Sequence, residues 1–148
     1  MTLENQINND LKEAMKARAE VRLRSVRSIK AALLIAKTSG ENVELTPADE
    51  IKLLQKMVKQ RKDSLTIFEQ QGRAELAQTE REEIEIIESY LPKQLGEAEI
   101  EAIVREIITS TGATGVKDMG KVMGLASKQV AGQAEGAVIS GIVKRLLA

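Results

Sequence analysis

Few kinds of side chain in this chain could do chemistry. Glu80, Glu82, Glu83, Glu85 and Glu88 crowd into nine residues, a carboxylate density that suggests a divalent-cation site or an acid/base pair. Glu85 and Glu88 are three apart and share a helical face. Ser127-Lys128 and the Ser28/Lys30 pair suggest a serine nucleophile with a lysine base. The composition works against both ideas. The chain has no His and no Cys. That removes the commonest general base and metal ligand, every thiol nucleophile and every zinc–cysteine centre. No Ser-x-x-Lys or nucleophile-elbow context surrounds the serines, and no second acidic helix faces the glutamates. These carboxylates are expected to solvate a helix or to pair with basic helices. No catalytic residue, metal or cofactor is expected.

Cations are the stronger candidates, because they can hold a phosphate backbone without catalytic machinery. Tyr90 and Phe68 are the only aromatics, so a base-stacking platform is excluded. One basic segment holds Arg18, Arg22, Arg24, Arg27 and Lys30. On a helical wheel Arg22 and Lys30 fall inside the arc of Val26, Ile29 and Leu33, whereas Arg24 and Arg27 lie on the other side. Either these cations contact phosphate, or they pair with the acidic segment at Glu82 to Glu88; pairing is favoured, since a charge within an apolar stripe seeks a carboxylate. The same two alternatives apply to Lys56, Lys59, Arg61 and Lys62.

The C-terminal third is more suggestive. Gly115-Val116-Lys117-Asp118-Met119-Gly120-Lys121-Val122-Met123-Gly124 opens a helix, with Asp118 expected near its third position. Lys117 and Lys121 are one turn apart near an end whose free N–H groups favour anions. Gly120 and Gly124 are also one turn apart, and each costs the helix about 1 kcal/mol relative to Ala. Close packing on the last helix is the favoured motive, with ligand approach the alternative. Lys93, Lys128, Lys144 and Arg145 complete the candidate nucleic-acid-binding set.

Formal neutrality, 22 basic against 22 acidic residues in 148, hides a block pattern. Segments 1–40, 41–68, 69–101 and 102–148 carry +4, 0, −7 and +3. Charge is thus arranged by element.

Those elements are helical nearly throughout. Leu3, Ile7, Leu11, Ala14 and Met15 form the stripe of a first helix capped by Thr2. Leu23, Val26, Ile29, Leu33 and Ala36 mark a second, from about Glu20 to Lys37, which Ser39-Gly40-Glu41-Asn42 ends. Thr46-Pro47 starts a third, striped by Ile51, Leu54, Val58, Leu65 and Phe68 and interrupted by Arg61. After Gly72, Leu76, Ile84, Ile87 and Leu91 stripe a fourth. Pro92 then marks a boundary, with Gly96 capping the next helix. Three short helices follow, Glu97 to about Thr111, Lys117 to about Ala131, and Glu135 to Leu147. The expected fold is all-α, with an N-terminal helical-hairpin domain of about four helices over 1–92 and a three-helix C-terminal domain over 96–148. No apolar run approaches the roughly 20 residues of a membrane span, and the N-terminus shows no apolar signal-peptide core. A cytoplasmic location without membrane association is expected.

Several blocks resemble one family. Lys59-Gln60-Arg61-Lys62-Asp63-Ser64, Phe68-Glu69, Gly72-Arg73, Tyr90-Leu91-Pro92-Lys93-Gln94-Leu95 and Lys117 to Gly124 look like the YqeY family, over essentially the whole chain. That family is similar to the helical tail domain of the B subunit of aspartyl/glutamyl-tRNA amidotransferase. The resemblance implies an accessory role in holding tRNA, with a translation-related or amidotransferase protein as a further partner. It also implies a label of carbon–nitrogen ligase with glutamine as amido-N-donor. That chemistry belongs to other domains and subunits of the complex, so the label is inherited. The alternative is a protein-interaction or structural module that binds no nucleic acid. One departure stands out. Family members often carry cations just before the last helix, where this chain has Gln129, Ala131 and Gln133; the resemblance then implies weaker or displaced phosphate contact.

Overall fold

The computed structural model describes residues 2–39 and 44–148. It is all-α, with no strand among the described residues, and divides into two compact units, Met1–Leu91 and Pro92–Ala148.

The first unit holds α1 (Leu3–Ala17), α2 (Glu20–Thr38), α3 (Pro47–Gln70) and α4 (Ala74–Glu88). Local chemistry sets its helix ends. Thr2 accepts the Asn5 N–H at the start of α1, and Arg18 ends α1 in the left-handed region at φ 53°. Thr46 and Asp49 form a capping box before Pro47. The Thr46 N–H and hydroxyl both donate to Asp49, holding its carboxyl below the usual range. α3 is 24 residues long, about 36 Å at 1.5 Å per residue. Gly72, at φ 68°, lets the chain reverse into α4.

The core of this unit is Leu3 and Ile7 from α1, Val26, Ile29 and Leu33 from α2, Leu54, Met57 and Val58 from α3, and Ile87 from α4. Two expected core positions face solvent instead. Met15 is 55% exposed because α1 ends two residues later, and Leu76 is 44% exposed while its neighbour Ala77 is buried. Residues 40–43, where the expected turn after α2 falls, lie outside the described residues.

The second unit holds α5 (Glu97–Thr111), a 3-10 turn (Val116–Asp118), α6 (Met119–Gln129) and α7 (Gly136–Leu147). Ile100, Val104, Ile107, Val122, Ala126, Ile139, Val143 and Leu147 are among the buried residues of its core. α6 begins two residues later than expected, so Asp118 sits at its N-cap rather than inside it. The Asp118 carboxylate accepts the Thr114 N–H at 2.8 Å, which spans Gly115 and fixes the turn. No helix among the described residues is long and apolar enough to cross a membrane.

Tyr-Leu-Pro-Lys-Gln-Leu is built from two separate fastenings. In the first unit the Tyr90 hydroxyl donates to Asp10 of α1, and Asp10 also pairs with Arg22 of α2 at 3.7 Å. In the second, the Gln94 amide donates to the Gly132 carbonyl at 2.7 Å, and Leu95 N–H donates to the Gln133 carbonyl at 2.9 Å. Burial and the Asp10 carboxylate push the Tyr90 phenol far above its ordinary value. An unfolded tyrosine ionises near pH 10, so the unfolded chain releases this proton while the folded chain keeps it, and stability falls as pH rises past that point. Tyr90→Phe is expected to cost about 1–2 kcal/mol at neutral pH and to flatten the alkaline loss. Urea titrations of both proteins at pH 7 and above pH 10 check this; parallel losses would refute it.

Candidate nucleic-acid interface

The basic second helix is divided among different partners. Arg24 Nε lies 3.1 Å from Glu83 Oε1, and its Nη2 lies 3.8 Å from Glu82. Arg61 of α3 meets the other oxygen of Glu83 through Nε at 3.1 Å. It also donates to the Met57 carbonyl and to the Ser28 hydroxyl. One carboxylate of α4 therefore joins α2 and α3. The side chains of Glu83 and Arg61 are only 12% and 17% exposed. This explains a cation at a heptad position of α3, and it gives Ser28 a structural role. Arg22 differs from expectation: its partner is Asp10 of α1, because the inward arc of α2 faces α1 as well as α4. Arg27 and Lys30 have no ion pair among the described residues. Lys62 reaches Glu88 at 3.6 Å.

The acidic segment is thus largely an internal counter-charge. Glu80 is its anomaly. Its Oε2 is buried without a hydrogen-bond partner. Burial, then the neighbouring Glu83 charge, raises its carboxyl above the usual range, against the opposing pull of Arg61 and Arg24. Among the described residues no group of three or more potential ligands could hold a metal ion.

In the second unit, cations sort by helix. Arg145 of α7 is held by Glu101 at 3.0 Å and Glu97 at 4.0 Å on α5. Glu101 also accepts from Arg105 at 2.8 Å, and these two arginines keep its carboxyl low. Arg145 is therefore a clasp between α5 and α7. Lys144, 100° further round α7, lies off that flank and is exposed. Lys117, Lys121 and Lys128 are exposed and have no ion pair among the described residues. With Val122 and Ala126 turned into the core, Lys121, Gly124, Leu125 and Lys128 form the outward side of α6.

Gly120 and Gly124 stand on that exposed side. A Cβ added at either would meet nothing within 4 Å, so packing against α7 is not their role; that expectation is corrected. α7 rests on the opposite, Val122/Ala126 side. Gln133 also has a structural assignment, since its amide donates to the Lys93 carbonyl at 3.2 Å. With Gln94 to Gly132, it ties exposed Lys93 to the loop that follows Lys128. The sequence carried no local signal for this tie, because its two glutamines are about 40 residues apart.

The sequence profile of the YqeY family, described as Yqey-like protein, matches residues 4–147. The chain belongs to the YqeY family. Curated relatives of this YqeY protein include three fungal proteins, each named Altered inheritance of mitochondria protein 41, mitochondrial. That of Lachancea thermotolerans is 32% identical over 105 residues, 70% of this chain and 56% of the relative. That of Pyrenophora tritici-repentis is 26% identical over 127 residues, 84% and 69% of the two chains. That of Clavispora lusitaniae is 40% identical over 82 residues, 55% and 47%. The matched stretch is thus about half to two thirds of those longer proteins.

Removing Arg61 leaves one oxygen of poorly solvated Glu83 without its partner, with Arg24 holding the other. Arg61→Ala is expected to cost about 2–3 kcal/mol, somewhat below the ~3–5 kcal/mol of a fully buried pair. Glu80→Gln, which removes a desolvated like charge, should raise the melting temperature at pH 7. Thermal melts of the two variants check both, and an unchanged Arg61→Ala melt would remove the node from the account of stability.

Proposed function

We propose that this YqeY-family protein is a non-catalytic accessory factor that binds tRNA through the outward side of α6. The observation that carries this is the cluster Lys117, Lys121 and Lys128, exposed beside Gly120 and Gly124, while Arg105 and Arg145 of the same unit are held by α5 carboxylates. Lysines without counter-charges release condensed ions from a polyanion on contact. Bare glycine backbone on the same side lets a phosphate–sugar chain approach closely. Lys93 and Lys144 extend the surface, and Arg145 acts mainly through its clasp. The similarity to the tail of the Asp/Glu-tRNA amidotransferase B subunit supports tRNA over other polyanions, with an amidotransferase or other translation protein as a further partner. Glutamine-dependent carbon–nitrogen ligation is assigned to the larger complex, since this chain has neither His nor Cys to supply a Cys–His pair.

The compartment follows the partner. We place the protein in the cytoplasm, an assignment that the mitochondrial names of its fungal relatives make worth testing by fractionation. A second function, a protein-interaction module, is favoured by Leu34 and Ile35 of α2, 51% and 67% exposed. Capture of one stoichiometric protein, insensitive to nuclease, would select it.

Titrating tRNA at two salt concentrations tests the proposal. Binding near micromolar protein should weaken with salt, and Lys117→Ala with Lys121→Ala should lower the salt slope by about two without changing the melt. Absence of salt-dependent binding would sink it.

A further inference from the structure

α3 divides its cations between two sides. On the inner side and its flank, Arg61 and Lys62 are matched to Glu83 and Glu88 of α4. The opposite side, away from Leu54, Met57 and Val58, carries Lys52, Lys56 and Lys59, all exposed. At 100° per residue these three lie within about 60° of one another. Lys52 feels Asp49 one turn earlier. Lys56 and Lys59 have no carboxylate partner among the described residues, and Asp63 is the next charge along the row. Like charges three and four residues apart on a helix repel by about 0.2–0.5 kcal/mol per pair. The chain tolerates this repulsion on α3 although α4, its packing partner, has Glu75 and Glu85 on its own exposed side. The inner cations are ion-paired, whereas the outer row sets three lysines between Asp49 and Asp63, with no carboxylate one turn from Lys56.

We propose that the Lys52/Lys56/Lys59 row is a phosphate-contact surface for RNA on the first unit. It rests on the polyanion-binding function proposed above. Spacing favours it. Lys52 to Lys59 spans about 10 Å of helix axis, long enough for the row to lie beside several phosphates of one strand, which in double-stranded DNA carries one charge per about 3.4 Å of axis. Each contact adds salt-dependent affinity and no base selectivity, so this row holds RNA while sequence is read elsewhere.

The test uses the full chain and tRNA, with affinities measured across a salt series for three proteins: wild type, K52Q/K56Q/K59Q, and K117Q/K121Q/K128Q. All six lysines are exposed, so both triple variants should keep the wild-type melt. The α3 variant is expected to lose about two to three from the salt slope and roughly tenfold or more in low-salt affinity. Unchanged slope and affinity in that variant, with loss in the α6 variant, would overturn this inference and leave the α6 assignment standing. Loss in the α3 variant alone would keep the row and reject α6. A wild-type chain that ignores tRNA would reject both. A low-salt oligomer that the α3 substitutions dissolve, without effect on RNA, would assign the row to a second copy's acidic side and overturn it too.

Discussion

Glu83 is the constraint on which the first unit depends. It places one carboxylate where α2, α3 and α4 converge, and its two oxygens face two guanidinium groups, Arg24 and Arg61, each at 3.1 Å. An apolar side chain could fill that volume and stabilise as well, since ion pairs in poorly solvated places roughly break even against hydrophobic ones. What apolar contact would not provide is register. Leu, Ile and Val slide along one another with little penalty, whereas a guanidinium displaced by one helical turn leaves a stranded charge. The node therefore fixes how far α2 sits along the α3–α4 hairpin. Ser28 and the Met57 carbonyl occupy further donors of Arg61, which keeps this charged node from being a half-satisfied network.

The same node accounts for much of the most acidic stretch of the sequence. Glu82, Glu83 and Glu88 answer cations from two other helices. Glu80 stands apart, with its Oε2 buried without a donor and the Glu83 charge acting on it. A cluster built to bind a cation would bring its carboxylates together around a shared centre. Here they spread along the helix toward cations of α2 and α3, so their density in sequence reflects two helix interfaces rather than one site.

Much of this was legible from residue order. Helix periodicity is local: Thr46-Pro47 and Gly72 fall where their backbone preferences require, and Gly96 stands at the expected start of α5. The pairing of Arg24 and Arg61 with the acidic helix followed from charge blocks. The partner of Arg22 did not, because a wheel shows that a side chain points inward and not which of two helices lies there. Met15 and Leu76 failed for a related reason: a stripe continues to the end of a helix whether or not a neighbour covers it there. Gln94 and Gln133 were invisible, since a hydrogen bond between distant loops leaves no period. Gly120 and Gly124 were misjudged because a glycine pair looks alike whether it meets a helix or nothing within the chain.

Those two glycines also bear on what kind of surface α6 presents. Each lowers helix stability by about 1 kcal/mol relative to Ala, and no neighbour within the unit occupies the space a methyl would take. A helix of 11 residues with two such positions is held mainly by Val122 and Ala126 in the core, not by its own propensity. The deficit brings flat, bare backbone between lysines. Against a protein partner this would favour a closely crossing helix, with apolar side chains around the contact. Leu125 is the one large apolar side chain on the outward side of α6, and Lys121 and Lys128 flank it. Cations around open backbone match a charged, backbone-presenting ligand better than an apolar helix. The composition of that small surface, more than its net charge, is what supports a polyanion over a protein in the proposed function.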